Sequence, residues 1–249
     1  VKPYLLKKFL QIGTDSPIVT SKVLKEAQQM QRHPICAKRI FRYETDLVRQ
    51  LLELLPKFLS LRATNWKTAV EVGVGAVISD IVIVLWEKDI EFPKQALSVR
   101  DSVILATLRR RGPTRIDLLE SKCGLRKGEL REASLKRLID NRLVERKKGG
   151  VIGITTQWAQ NFHIIAIEAK LYDWRRAIMQ ARSYTSYADE IYVAMPVDRI
   201  SEDKFLKPFL EEKVGLIAVS NDSLRECHSS IQYNSHGWRR EFALSRIMM

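Results

Sequence analysis

The run Phe162-His163-Ile164-Ile165-Ala166-Ile167-Glu168-Ala169-Lys170 constrains this chain more than any other stretch. It is apolar and rich in β-branched residues, the pattern of a strand buried on both faces. A carboxylate and an ammonium stand two positions apart at its far end. In a strand that spacing puts Glu168 and Lys170 on one face. Unpaired buried charge is costly. The two groups therefore either neutralise each other as a structural ion pair or converge on something else.

A chain of 249 residues can bury a real core, as one large domain or two small ones. Its 45% hydrophobic and 29% charged residues are those of a soluble globular protein. No apolar run approaches the ~18 residues of a membrane span, and Val1-Lys2-Pro3-Tyr4 lacks a signal-peptide pattern. Cys36, Cys123 and Cys227 are odd in number and scattered. They suit a reducing cytoplasm, the expected location, and offer neither a disulfide framework nor paired zinc ligands. The adjacent Cys227-His228 has no companion pair. The net charge of +13 and pI near 9.7 favour a polyanion partner. Nucleic acid comes first and an anionic membrane surface second, with a merely solvated basic surface as the alternative.

Residues 1–42 carry Lys2, Lys7, Lys8, Lys22, Lys25, Arg32, Lys38, Arg39 and Arg42 against only Asp15 and Glu26. Helices are expected at about 3–11 and 20–31, the second capped by Thr20 or Ser21 and broken by Pro34. This segment either grips phosphates or packs beside the main domain. Residues 43–60 open as an amphipathic helix with Leu47, Leu51, Leu54 and Leu55 as its stripe, disturbed from Pro56 onward. Glu44 lies in its first turn, where complementing the helix dipole would by itself explain it. Two strands follow, at 69–74 and 78–86, with Gly73 and Gly75 suited to a tight hairpin between them. The second is apolar except at Ser79 and Asp80. An aspartate opening a buried strand needs a partner, a hydrogen-bond network or a metal.

From about Ser98 to Thr156 basic helices replace the apolar strands. Helices are expected at 101–108, Arg115–Cys123 and Lys127–Asn141, the last with Leu130, Leu135, Leu138 and Ile139 inward. A hairpin from Leu143 to Thr155 turns on Gly149-Gly150. This order resembles a winged helix-turn-helix. The resemblance implies a third helix in the major groove and a hairpin against the backbone. Arg126, Lys127, Arg131 and Ser134 would then face DNA, with Lys147 and Lys148 on the wing tip. The alternative is a winged helix used for protein contacts. Beyond it, 172–184 reads as a helix packed through Trp174, Ala177, Ile178, Ala181 and Tyr184. Strands at 189–196 and 213–219 flank a helix near 202–212, and the tail from Ser220 shows mixed polarity and no repeat.

With 98–156 set aside, the order is helix, strand, strand, strand, helix, strand. Asp80 falls on the second strand, Glu168-Ala169-Lys170 on the third and Gln180 on the helix after it. Over about 43–86 and 162–220 this resembles the PD-(D/E)xK nuclease superfamily, the restriction-endonuclease-like fold. Ser79 stands where the motif has proline, and the long gap from Asp80 to Glu168 is accounted for by the insert. The resemblance implies an α/β (α+β) fold, a mixed sheet flanked by helices. The nuclease-like domain would comprise 43–97 and 157–249, interrupted by a winged-helix insert at 98–156 and preceded by the basic segment 1–42.

Phosphodiester hydrolysis needs hard cations to neutralise phosphate charge and activate water. The resemblance implies Mg²⁺, for which Mn²⁺ can substitute, on Asp80, Glu168 and the Ala169 carbonyl. Lys170 would orient the attacking water or stabilise charge, Glu44 would bind a second metal or a metal-bound water, and Gln180 would help position Lys170 or the water. Glu71 is a rival acidic position. The expected activity is a Mg²⁺-dependent endonuclease acting on DNA, for which a homodimer would suit two-strand cleavage. Two other readings stand beside it: a non-catalytic DNA-binding regulator on a nuclease-like scaffold, and an RNA-directed nuclease subunit.

Overall fold

The computed structural model describes residues 41–249 except 61, 127, 131–133 and 201, and only the backbone of 202–205. The expected helices at 3–11 and 20–31 therefore lie outside the described residues, as do Lys127 and Arg131. The fold is mixed α+β, with eight helices and two sheets among the described residues. None of these helices is long and apolar enough to cross a membrane.

The large sheet has six strands in the order β1-β2-β6-β7-β8-β9. They are β1 (Asn65–Val74), β2 (Val77–Trp86), β6 (His163–Ala169), β7 (Glu190–Pro196), β8 (Gly215–Val219) and β9 (Leu224–His228). β6, β7 and β8 run parallel, and the other neighbours pair antiparallel. Helices α6 (Trp174–Ser183) and α7 (Glu202–Glu212) connect the parallel strands, as parallel pairs require. The β1–β2 turn is Gly75-Ala76, between paired Val74 and Val77, and Gly75 takes φ +68° there. Gly73 instead pairs with Ile78 inside the ladder.

The central run is buried on both faces, as its composition demands. Ile165 and Ile167 of β6 pack with Ile81 and Ile83 of β2 against Leu47, Leu51, Leu55 and Leu59 of helix α1 (Glu44–Leu59). These leucines recur every four residues and make one stripe. The helix continues through Pro56, which the sequence reading treats as a disturbance. Proline removes one intrahelical donor, but Leu59 extends the buried stripe and the Ser60 N–H closes the end on the Pro56 carbonyl. The opposite β6 face, Ile164 and Ala166, packs with Ala177, Ile178, Ala181 and Tyr184 around α6.

Residues 98–156 hold α2 (Val99–Arg111), β3 (Thr114–Arg115), α3 (Ile116–Lys122), α4 (Leu135–Asp140), β4 (Val144–Lys147) and β5 (Val151–Ile154). The three strands form a small sheet in the order β3-β5-β4. Its hairpin turns where Gly149 and Gly150 have φ +74° and +72°, a left-handed pair that glycine adopts without a Cβ clash. Ser98 and Asp101 cap α2 reciprocally, and Asp101 also accepts from Arg137 of α4 at 2.7 and 3.1 Å.

This region shares its interior with the large sheet: Ile104, Leu105, Leu119 and Leu138 belong to one apolar cluster with Val82, Ile164 and Leu244. The described residues belong to one compact unit. The junction is made by the tail, where sequence polarity suggests no element. The structure places β9 there, and then α8 (Trp238–Ile247), after the short α5 (Thr156–Ala159) has led into β6. Glu241 of α8, 1% exposed, accepts from Arg109 of α2 and, at 3.1 Å, from the indole N–H of Trp158.

Candidate active site

The β2–β6 ladder runs from Leu85 opposite His163 to Ile81 opposite Ile167 and stops there. The next main-chain donor of β6 on the β2 side is the Ala169 N–H. It bonds Oδ2 of Asp80 at 2.7 Å, so a carboxylate stands where the ladder would have offered a carbonyl. In an antiparallel pair the N–H and C=O of one residue point the same way across the ladder. The Ala169 carbonyl therefore opens toward Asp80 as well.

The hairpin is shaped to put Asp80 in this position. Ala69, Val82 and Val84 pack with the layer that contains α6, and so do Val72, Val74 and Val77. Strict alternation cannot put Ala69 and Val72, or Val77 and Val82, on one face. Both strands change phase near Glu71 and Asp80, and Glu71 has φ +51°. A non-glycine residue in that region is strained by its Cβ. Glu71 is exposed, and its charge pushes the Asp80 carboxyl up.

Glu168 is 1% exposed. Lys170 Nζ lies 3.2 Å from its Oε1, and the Tyr184 hydroxyl donates to its Oε2. The same hydroxyl lies 3.1 Å from the Ile78 carbonyl on the hairpin. Lys170 Nζ also donates to Oε2 of Glu44, at 3.0 Å, from the first turn of α1. Lys170 thus spans the end of the sheet, from Glu168 on one side to Glu44 on the other.

Burial, above all, raises the pKa of both carboxyls above their ordinary range. The Ala169 N–H and the charge of Lys170 partly offset this at Asp80. Tyr184 and Lys170 partly offset it at Glu168, where the charge of Asp80 adds to the rise. Burial pulls Lys170 down, but hydrogen bonds and charge from Glu44 and Glu168 outweigh it and hold the ammonium above its usual range.

The donor chemistry fits a hard divalent cation. Two carboxylates that repel each other share the site with a main-chain carbonyl, and Asp80 keeps Oδ1 without a hydrogen-bond partner among the described residues. No cluster of three or more His, Cys, Asp or Glu stands ready as a metal cage among the described residues. Mg²⁺ is commonly held by one or two carboxylates with water and substrate phosphate completing its shell.

Of the residues expected from sequence, Asp80, Glu168, Ala169, Lys170 and Glu44 come together. Gln180 lies on α6 one turn before Tyr184; its Oε1 is buried without a hydrogen-bond partner among the described residues, and no bond there joins it to Lys170. Tyr184 is the site residue that sequence reasoning misses, because its spacing marks it only as core. The available signal is a hydroxyl on an otherwise apolar helix face, four residues from Gln180.

In the 98–156 region Arg126, Lys147 and Lys148 are exposed. Ser134 is not: at 1% exposure it cannot face DNA. Leu130, Ser134 and Leu138 follow one another at intervals of four, which places Ser134 on the inward stripe.

A second polar cluster lies at the opposite end of β6 and β7. Glu190 accepts from Arg62 at 2.8 and 2.9 Å and from Tyr192 at 2.9 Å, and lies 2.8 Å from Nε2 of His163. Burial opposes its charge, but His163 and Arg62 outweigh burial and bring the carboxyl down to about 2.

No protein-family model matches the chain, and no curated protein is similar to it. Among solved structures it is similar, at 16% identity and a TM-score of 0.27, to a protein of unknown function from Silicibacter pomeroyi, over 41% of this chain. The match spans 65% of that protein's length, and a likeness this slight carries no argument.

Proposed function

We propose that the protein is a metal-dependent endonuclease that hydrolyses DNA phosphodiester bonds on a restriction-endonuclease-like scaffold, with the winged-helix-like region at 98–156 holding the duplex. The observation that carries this reading is the convergence of Asp80, Glu168 and Lys170, with Ala169 between them bonded to Asp80. A purely structural Glu168–Lys170 pair would not need a second, partly buried carboxylate, Asp80, whose charge adds to the burial that raises Glu168.

Bound Mg²⁺, or Mn²⁺ in its place, would polarise the phosphate and supply a nucleophilic water. Asp80, Glu168 and the Ala169 carbonyl would hold it through hard oxygens. Tyr184 fixes Glu168 by occupying Oε2. Lys170, held as an ammonium by its two carboxylate partners, would act as a hydrogen-bond donor and point charge beside the phosphate. Glu44, with 48% of its side chain exposed, is placed to orient a water at the rim.

The test is cleavage of duplex DNA, single-stranded DNA and RNA with and without Mg²⁺, alongside Lys170→Ala. Mg²⁺-dependent cutting of DNA lost in Lys170→Ala supports the reading. DNA binding without any cutting would leave the regulator reading in its place, and cutting confined to RNA would leave the RNA-directed one.

A further inference from the structure

We infer that the rim of this site is a stacking platform for unpaired nucleotides, so that its substrate carries single-stranded character beside the bond to be cut. The inference rests on the nuclease reading for its location and on two tyrosines for its chemistry.

Tyr43 immediately precedes Glu44, and Tyr172 follows Lys170 by two residues. The side chains of Glu44 and Lys170 meet at 3.0 Å, so both tyrosines flank the same ion pair from different elements. Each is half-exposed, at 55% and 50%. Tyrosine is intermediate in burial, so two rings this exposed, each within two residues of a member of one ion pair, are open to a ligand there.

Each ring also carries a guanidinium. The Arg42 guanidinium carbon lies 5.2 Å from the Tyr43 centroid, and that of Arg199 lies 4.7 Å from the Tyr172 centroid. Arg199 ends the short turn Val197–Arg199 after β7, at the same end of the sheet as Lys170, whose N–H bonds the Ala194 carbonyl. An aromatic face with an arginine on it offers stacking to a base and charge to a phosphate together. The Arg42 and Arg199 guanidinium groups, in a chain that carries +13, favour an anionic occupant, and the two rings favour one with open π-faces. Bases inside a duplex are already stacked on one another; unpaired nucleotides are not.

The experiment is fluorescence anisotropy in Ca²⁺, which reads binding without cleavage. The probes are oligo-dT, oligo-U and an abasic deoxyribose strand of the same length, about 12 nucleotides, within the usual site size. The platform predicts that one base-bearing strand binds about tenfold tighter than the abasic strand. Tyr43→Ala with Tyr172→Ala should erase that preference, and the paired Phe substitutions should keep it, because stacking needs the ring and not the hydroxyl. Equal binding of base-bearing and abasic strands by the wild type, or a preference that survives the double Ala variant, overturns the platform. Cleavage of the same strands in Mg²⁺ is scored separately. Base preference with no cutting of these strands, of duplex DNA or of a duplex with a single-stranded tail would sink the nuclease reading and leave the platform standing; cutting without base preference would do the reverse.

Discussion

The Tyr184 hydroxyl donates to the one oxygen of Glu168 that Lys170 does not hold. Glu168 is thereby pinned from both sides, by a helix and by its own strand. Tyr184→Phe keeps the ring in the core and removes the hydroxyl from Glu168 and from the Ile78 carbonyl. Loss of a group that orients a metal-binding carboxylate typically costs about 10- to 100-fold in metal affinity or activity, and leaving a buried carboxylate short of a donor costs about 1–3 kcal/mol. We therefore expect the Mg²⁺ concentration for half-maximal cleavage to rise and the urea midpoint to fall. A variant that loses stability yet keeps the wild-type Mg²⁺ dependence would make Tyr184 a packing residue only.

Neutralising Asp80 should separate metal binding from stability. Asp80→Asn retains an oxygen for the Ala169 N–H and removes a charge that burial and its neighbours disfavour. Its thermal stability should equal or exceed the wild type's, while Mg²⁺-dependent cleavage falls about a thousandfold as a metal ligand worth several kcal/mol is weakened. Asp80→Ala and Glu168→Ala should also abolish cleavage with the fold intact. Substantial cutting by purified Asp80→Asn would remove Asp80 from the site.

Much of this was legible in residue order. The β6 run announced a doubly buried strand, and its Glu168 and Lys170 marked the strand's open end. What the sequence concealed was set by long-range pairing. The phase change near Glu71 and Asp80 defeats a period-two reading, because alternation predicts a face and the chain turns Asp80 into the plane of the ladder. Helix α8 was hidden because Glu241 and Ser245 interrupt its apolar positions, and their burial depends on groups distant in sequence: Arg109 and Trp158 for Glu241, the Leu97 N–H for Ser245. Ser134 was misread because basic neighbours outweighed its place in a four-residue spacing.

The Glu190 cluster predicts acid sensitivity. Its carboxyl is brought from an ordinary 4.5 to about 2 by His163 and Arg62, against burial. A carboxyl with a depressed folded pKa adds stability that is fully present above the unfolded pKa and lost as pH falls through the folded one. Stability should therefore decline between about pH 4.5 and 2, by about 3 kcal/mol in all from this group. Asp80 and Glu168, raised in the folded state, act in the opposite sense, because protonating them relieves the native state. Glu190→Gln should flatten the decline in urea titrations run from pH 6 to pH 2.5. An unchanged slope in that variant would place the acid response elsewhere.

Duplex binding should reside in the 98–156 region and follow exposure. Lys147 and Lys148 stand at the exposed turn of the β4–β5 hairpin, and Arg126 is exposed before α4. Exposed side chains of this kind grip phosphates, so affinity should fall with salt by a log–log slope of about −0.9 per phosphate neutralised. Lys147→Ala with Lys148→Ala should weaken duplex binding at low salt and make the slope shallower by about 0.9 for each phosphate that is no longer neutralised. Adding Arg126→Ala should weaken it further, with any sequence preference lost only if Arg126 reads base edges. Ser134 supplies the internal control. Ser134→Ala should leave duplex affinity unchanged, whereas Ser134→Arg should destabilise the fold by forcing a charge into a 1%-exposed position. Anisotropy over a salt series in Ca²⁺, with a melting curve for each variant, measures both effects. If the wing and Arg126 variants bind duplex like the wild type, this region is a protein-contact module, and the basic residues of 1–42 become the duplex-binding element to test.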